Sequence, residues 1–139
     1  MENIKVKITT IQTIDEAGNE DVMELVTEAV METADDCIII NYDESSITET
    51  ENTKTRLKIF KNKMMLTKVG NLSSKMDFEK NKSYSNLYST PYGAFDLNFK
   101  TLVFENNLNE EGRGHVYIEY KVIFNNSEEN YNKLRIDIF

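Results

Sequence analysis

One cysteine and one histidine, Cys37 and His115, are too few for a disulfide framework or for a zinc site built on several sulfur and imidazole ligands. A lone thiol fits a reduced, cytoplasmic setting. Proline occurs once, glycine five times and tryptophan not at all, while 40% of the chain is apolar and 29% charged, so the composition is that of a folding chain and not of a disordered or low-complexity one. No apolar run is longer than Cys37-Ile38-Ile39-Ile40, and Glu2 and Lys5 stand before any apolar stretch, so neither a signal peptide nor a membrane span is expected. The 139 residues are enough for one domain of ordinary size, taken as residues 1–139.

Basic residues are also scarce, and unevenly so. The net charge is −8, which speaks against general affinity for nucleic acid or for anionic membranes. Between Lys7 and Lys54 there is no Lys or Arg, and thirteen acids fall there. From Lys54 to Lys82 nine basic residues stand against Asp77 and Glu79, a local +7. This block could form a phosphate or RNA surface, but opposite charges facing each other across antiparallel strands are ordinary sheet chemistry, so folding is expected to mix the two blocks.

What is abundant is alternation. Ile4, Val6 and Ile8 alternate with Lys5 and Lys7, and an acidic Gly18-containing turn leads to residues 22–32. There Val22, Val26 and Val30 also fit helical spacing, but β-branching and extended neighbours favour a strand, with a helix as the other reading. Residues 37–44 read as a short apolar strand. Residues 55–60 and 64–69 form a hairpin across Lys61-Asn62-Lys63, with Asn62 expected in a left-handed conformation. Ser74, Met76 and Phe78 continue the pattern until Asn81-Lys82 breaks it, and Tyr84 to Thr90 run into the bend Pro91-Tyr92-Gly93. Phe95, Leu97 and Phe99 face one way, whereas Leu102 and Phe104 are out of phase with them, which predicts a bulge near Thr101. Val116 to Phe124 and Leu134 to Ile138 are further strands. Eight to ten strands at hairpin spacing without a βαβ unit predict an all-β, up-and-down antiparallel barrel, because closing the sheet removes its exposed edges.

The order of features resembles that of the YwiB-like bacterial proteins, a family of unknown function with a calycin-type β-barrel. The likeness runs through IKVKITTIQTIDEAGNEDVMELVTEA, IIINYDE, TRLKIFKNKMMLTKVG and SSKMDFEK, and is clearest in TPYGAFDLNFKTLVFENNLNEEGRGHVYIEYKV. It implies a lipocalin-like barrel over nearly the whole chain and carries no catalytic signature. Calycin barrels elsewhere often hold small apolar ligands at the barrel mouth, an analogy of fold alone.

Candidate chemistry is sparse. His115 shares a strand face with Arg113, Tyr117 and Glu119, the face opposite Val116 and Ile118 and so the solvated outside of a barrel. Cys37 has no sequence neighbour that would lower its pKa. No nucleophile, base and orienting group come together, so neither catalysis, nor a metal, nor a cofactor is expected. The leading functional expectation is non-catalytic binding of a small, partly apolar ligand in or at the mouth of the barrel. Its candidate lining is Tyr92 beside the bend, with Tyr84, Tyr88 and Arg56 as polar handles and Phe95 and Phe99 as apolar wall. The alternative is a protein–protein interaction module or homodimer using the chain's charge asymmetry. Nucleic acid and membrane are not expected partners.

Overall fold

The alternation of apolar and polar residues folds into ten strands in a computed structural model that describes residues 2–13, 20–43, 54–69, 74–90, 93–124 and 128–139. They are β1 (Glu2–Thr13), β2 (Glu20–Thr33), β3 (Cys37–Asp43), β4 (Lys54–Phe60), β5 (Lys63–Val69), β6 (Ser74–Glu79), β7 (Ser83–Thr90), β8 (Gly93–Leu108), β9 (Gly114–Phe124) and β10 (Glu128–Ile138). All ladders are antiparallel, in the order β6-β5-β4-β3-β2-β1-β10-β9-β8-β7. The ambiguous stretch 22–32 is strand, paired with β1 from Glu2↔Met31 to Thr13↔Glu20.

The first and last strands pair with each other, Val6 opposite Ile138 and Ile8 opposite Ile136, which curls the meander into a nearly closed barrel. Every strand then has an inside and an outside. Ile4 and Val6, Ala29 and Met31, Ile40, Leu57 and Ile59, Met64, Phe78, Phe99, Val116 and Ile118, and Leu134 and Ile136 make one continuous core. Their outward neighbours are mostly polar, as a period of two requires.

The seam lies between β6 and β7, which are joined by a tight turn but share no ladder among the described residues. There Lys82 N–H donates to Glu79 O at 3.0 Å, Asn81 N–H to Thr101 O at 2.9 Å, and Thr101 N–H to Lys82 O at 3.2 Å. Asn81 has φ of 64° and is, among the described residues, the one non-glycine residue in the left-handed region. That role therefore falls to Asn81 and not to Asn62, whose hairpin closes without it. The expected bulge is present between Thr101 and Val103. It lets β8 pair with β7 along its first half and then turn its second half across the barrel, where Asn106 Nδ2 donates to Phe60 O at 3.0 Å.

Antiparallel order places the short connections 34–36, 61–62, 80–82 and 109–113 at one end of the barrel. The β8–β9 hairpin covers this end. Asn109 Oδ1 accepts from the backbone N–H of Glu111 and Arg113 at 2.9 and 3.0 Å, and Gly112 lies so close that a Cβ there would be 2.9 Å from Met31 Sδ and 3.2 Å from Ile38 Cδ1. Arg113 pairs with Glu2 across the same end. The opposite end is where β3 finishes and β4 begins.

The core contains two polar groups with measurable consequences. Tyr120 is buried edge-on to Phe78 at 4.8 Å between ring centroids, and desolvation pushes its phenol up to about 12. Because the folded-state value is raised, this contribution to stability is complete below pH 10 and is lost as pH rises from 10 towards 12. Chemical denaturation across that window should show a loss of about 2–3 kcal/mol that Tyr120→Phe removes. Thr101 Oγ1 is buried with no hydrogen-bond partner among the described residues. Thr101→Val should therefore raise the urea midpoint by an amount equivalent to about 1 kcal/mol, and a lowered midpoint would mean that the hydroxyl is satisfied.

Candidate binding groove on the outer face of the barrel

Beyond the pair Val30↔Asn41, β2 and β3 share no ladder among the described residues, and the barrel surface opens there. A groove of about 780 Å³ runs over the outer face of β3 to β6 on this side. Strand alternation explains its lining. Leu57 and Ile59 point inward, so Lys54, Arg56 and Lys58 point outward, and on β5 the inward Met64 and Leu66 leave Met65, Thr67 and Val69 outside. The ladder registers set these side chains in rows across the strands: Asn41, Arg56, Thr67 and Lys75 form one, Lys58 and Met65 another, and Asp43, Lys54 and Val69 a third. Tyr42 and Thr55, both of the inward phase, complete the rim. Arg56 Nε donates to Asn41 Oδ1 at 3.0 Å, which ties the guanidinium to its neighbour strand. A second hollow of about 590 Å³ adjoins it, sharing Asn41, Tyr42 and Asp43 and reaching Ile4, Ala29 and Phe139.

The charge blocks do not mix. The meander makes β4, β5 and β6 neighbours of one another, so the +7 block stays together on the surface, and the acids of β2 lie beside β1 and β3. Their relief comes from β1, where Lys5 stands opposite Glu28 and Lys7 Nζ lies 3.9 Å from Glu24.

The candidate residues taken from the sequence are dispersed. Arg56 lies in the groove on the outside of the barrel. Phe99 is 2% exposed and packs towards Tyr120, with ring centroids 6.4 Å apart; it fills the core and lines no opening. Tyr84 is half-buried on β7, and its hydroxyl donates to Glu79 Oε2 at 3.4 Å. Burial first, and then the charges of Glu79 and Asp77, raise its pKa. Tyr88 and Phe95 are opposite each other in the β7–β8 ladder, in register with the Tyr84↔Phe99 pair. Tyr92 lies outside the described residues. Arg56 and Phe99 are thus on opposite faces of the barrel wall, and the structure does not unite the set. Sequence reading missed the groove residues Lys54, Lys58, Met65, Thr67 and Val69; for Lys54 and Lys58 a usable signal was the run TKTRLKIF, where cations alternate with inward Thr55, Leu57 and Ile59.

The remaining candidates lack catalytic geometry. His115 Nε2 lies 3.2 Å from Asn107 Nδ2. Burial, followed by the charge of Glu119, raises the Tyr117 phenol. Burial and the Asp36 charge raise the Cys37 thiol, the reverse of what a nucleophilic thiolate needs. Among the described residues no group of three or more His, Cys, Asp or Glu could hold a metal ion, and no helix is long and apolar enough to cross a membrane.

The ywiB protein from Bacillus subtilis, known from a crystal structure, has the same fold: the TM-score is 0.74 at 16% identity over 97% of this chain and 90% of that one. No curated protein matches the sequence. A family model, described as a domain of unknown function (DUF1934), matches residues 6–136, nearly the full length of the barrel. With ten strands in one up-and-down meander and a sequence that fits that model from β1 to β10, the chain belongs to the DUF1934 family.

Proposed function

We propose that this protein is a non-catalytic binding protein that takes a small, partly apolar ligand in the groove over β3 to β6, at the barrel end opposite the β8–β9 hairpin. The observation that carries this reading is the groove itself. Its volume of about 780 Å³ falls within the range of small-molecule sites, roughly 300–1,000 Å³, and its lining mixes apolar Met65 and Val69 with Tyr42, Thr55 and Thr67. The interior is a poorer candidate, because Leu57, Met64, Phe78, Phe99 and Ile118 fill it with side chains at most 2% exposed. A cytoplasmic setting goes with this reading, since the lone thiol Cys37 needs no oxidising compartment.

A second reading, a protein–protein interaction module, is favoured by one observation. Val22 and Val26, on the outer face of β2, are 53% and 56% exposed, and Met23 on its other face is 64% exposed, all beyond the end of the β2–β3 ladder. Sedimentation over a wide concentration range tests the homodimer form of this reading, which a monomer at all concentrations removes.

Native mass spectrometry of protein purified from its own host should show an excess mass that leaves on denaturation. Met65→Asp, which places a charge in the groove without touching the core, should abolish the excess mass while leaving the melting temperature nearly unchanged. Retention of the ligand by the Met65→Asp protein would move the site away from the groove.

A further inference from the structure

We infer that the ligand of this groove is a small amphiphilic anion, with a carboxylate or phosphate group seated on the β4 cations and an apolar body over Met65 and Val69; the inference rests on the binding function proposed above. Lys54, Arg56 and Lys58 stand at alternate positions of one strand, so their Cα atoms follow at intervals of about 6.7 Å on the same outer face. Lys75 joins them from β6, in the row that contains Arg56, and Asp43 is the one carboxylate in the lining among the described residues.

Four basic groups elsewhere on the surface meet acids: Lys7 with Glu24, Arg113 with Glu2, Lys121 with Glu129 and Arg135 with Asp137. In a chain with 24 acidic residues, Lys54, Arg56 and Lys58 form no ion pair with any described residue. Like charges held side by side repel, and a bound anion relieves that repulsion. Arg56 is the residue best suited to the anion. Its Nε is engaged by Asn41, and neither Nη1 nor Nη2 bonds a described residue, which leaves the terminal fork for the two oxygens of a carboxylate or phosphate.

The rest of the groove selects the remainder of the ligand. Val69 is 62% exposed and Met65 half-buried, an apolar strip that a bare inorganic ion would leave wet. A nucleic-acid strand fits less well. The one aromatic ring in the lining among the described residues, Tyr42, is 7% exposed and offers no face for base stacking, and the net charge of −8 repels a long polyanion.

The test is titration of the full-length protein, followed by amide chemical shifts, with n-octyl phosphate, 1-octanol, inorganic phosphate and phosphatidylglycerol vesicles. Octyl phosphate should perturb β3 to β6 and bind at least about tenfold tighter than octanol. That advantage should shrink at about 0.5 M salt, disappear in Arg56→Gln and survive in part in Arg56→Lys. Arg56 is exposed, so both variants should keep the spectrum of the folded barrel. Equal affinity for octanol and octyl phosphate would overturn the anionic class while leaving a ligand groove in place. Inorganic phosphate binding as tightly as octyl phosphate would remove the apolar body. Binding to vesicles but not to monomeric octyl phosphate would replace a soluble ligand with a lipid surface. Silence with all four probes would overturn both this inference and the binding function beneath it.

Discussion

Everything in this barrel depends on the ladder between the first strand and the last. An open meander of ten strands would leave β1 and β10 as bare edges, with unpaired N–H and C=O groups and an apolar face with nothing to cover it. Pairing Val6 with Ile138 and Ile8 with Ile136 removes those edges and turns one face of every strand inward. The core then follows from period-two alternation alone, since Ile4 and Val6, Leu57 and Ile59, and Ile118 and Ile136 reach the same interior from distant parts of the chain.

The seam shows what closure costs locally. β6 and β7 do not complete a ladder, so β8 has to serve β7 above and the β4–β5 hairpin below. The bulge at Thr101 makes the change of direction, and the backbone of Asn81 and Lys82 satisfies the Thr101 peptide groups there. The Thr101 hydroxyl has no hydrogen-bond partner among the described residues, a desolvation cost that the surrounding packing offsets. Asn81 takes the left-handed turn because an Asn side chain tolerates that region better than most.

Topology also explains the surface. In an up-and-down meander, strands adjacent in sequence are adjacent in space, so a block of charge in the sequence becomes a block of charge on the surface. Mixing acidic with basic strands would need pairing between distant segments, and the only such ladder among the described strands joins β1 to β10. The basic groove over β4 and the acidic outer face of β2 are both products of this rule. For the acids of β2, cross-strand neutralisation comes from Lys5 and Lys7 of β1.

Alternation in the sequence was sufficient to determine the strands, their inward residues and the bulge near Thr101, because which side a residue faces in a strand depends only on its parity. It was also sufficient for β2 to read as a strand against a helical alternative. Parity could not show where the site lies. Phe99 and Arg56 both looked like lining, yet one is sealed in the core and the other exposed outside, since whether the barrel is filled depends on how side chains from eight or more strands interdigitate. The rows that bring Asn41, Arg56, Thr67 and Lys75 together depend on ladder register. Register is a relation between strands, and only the closed tertiary structure decided it.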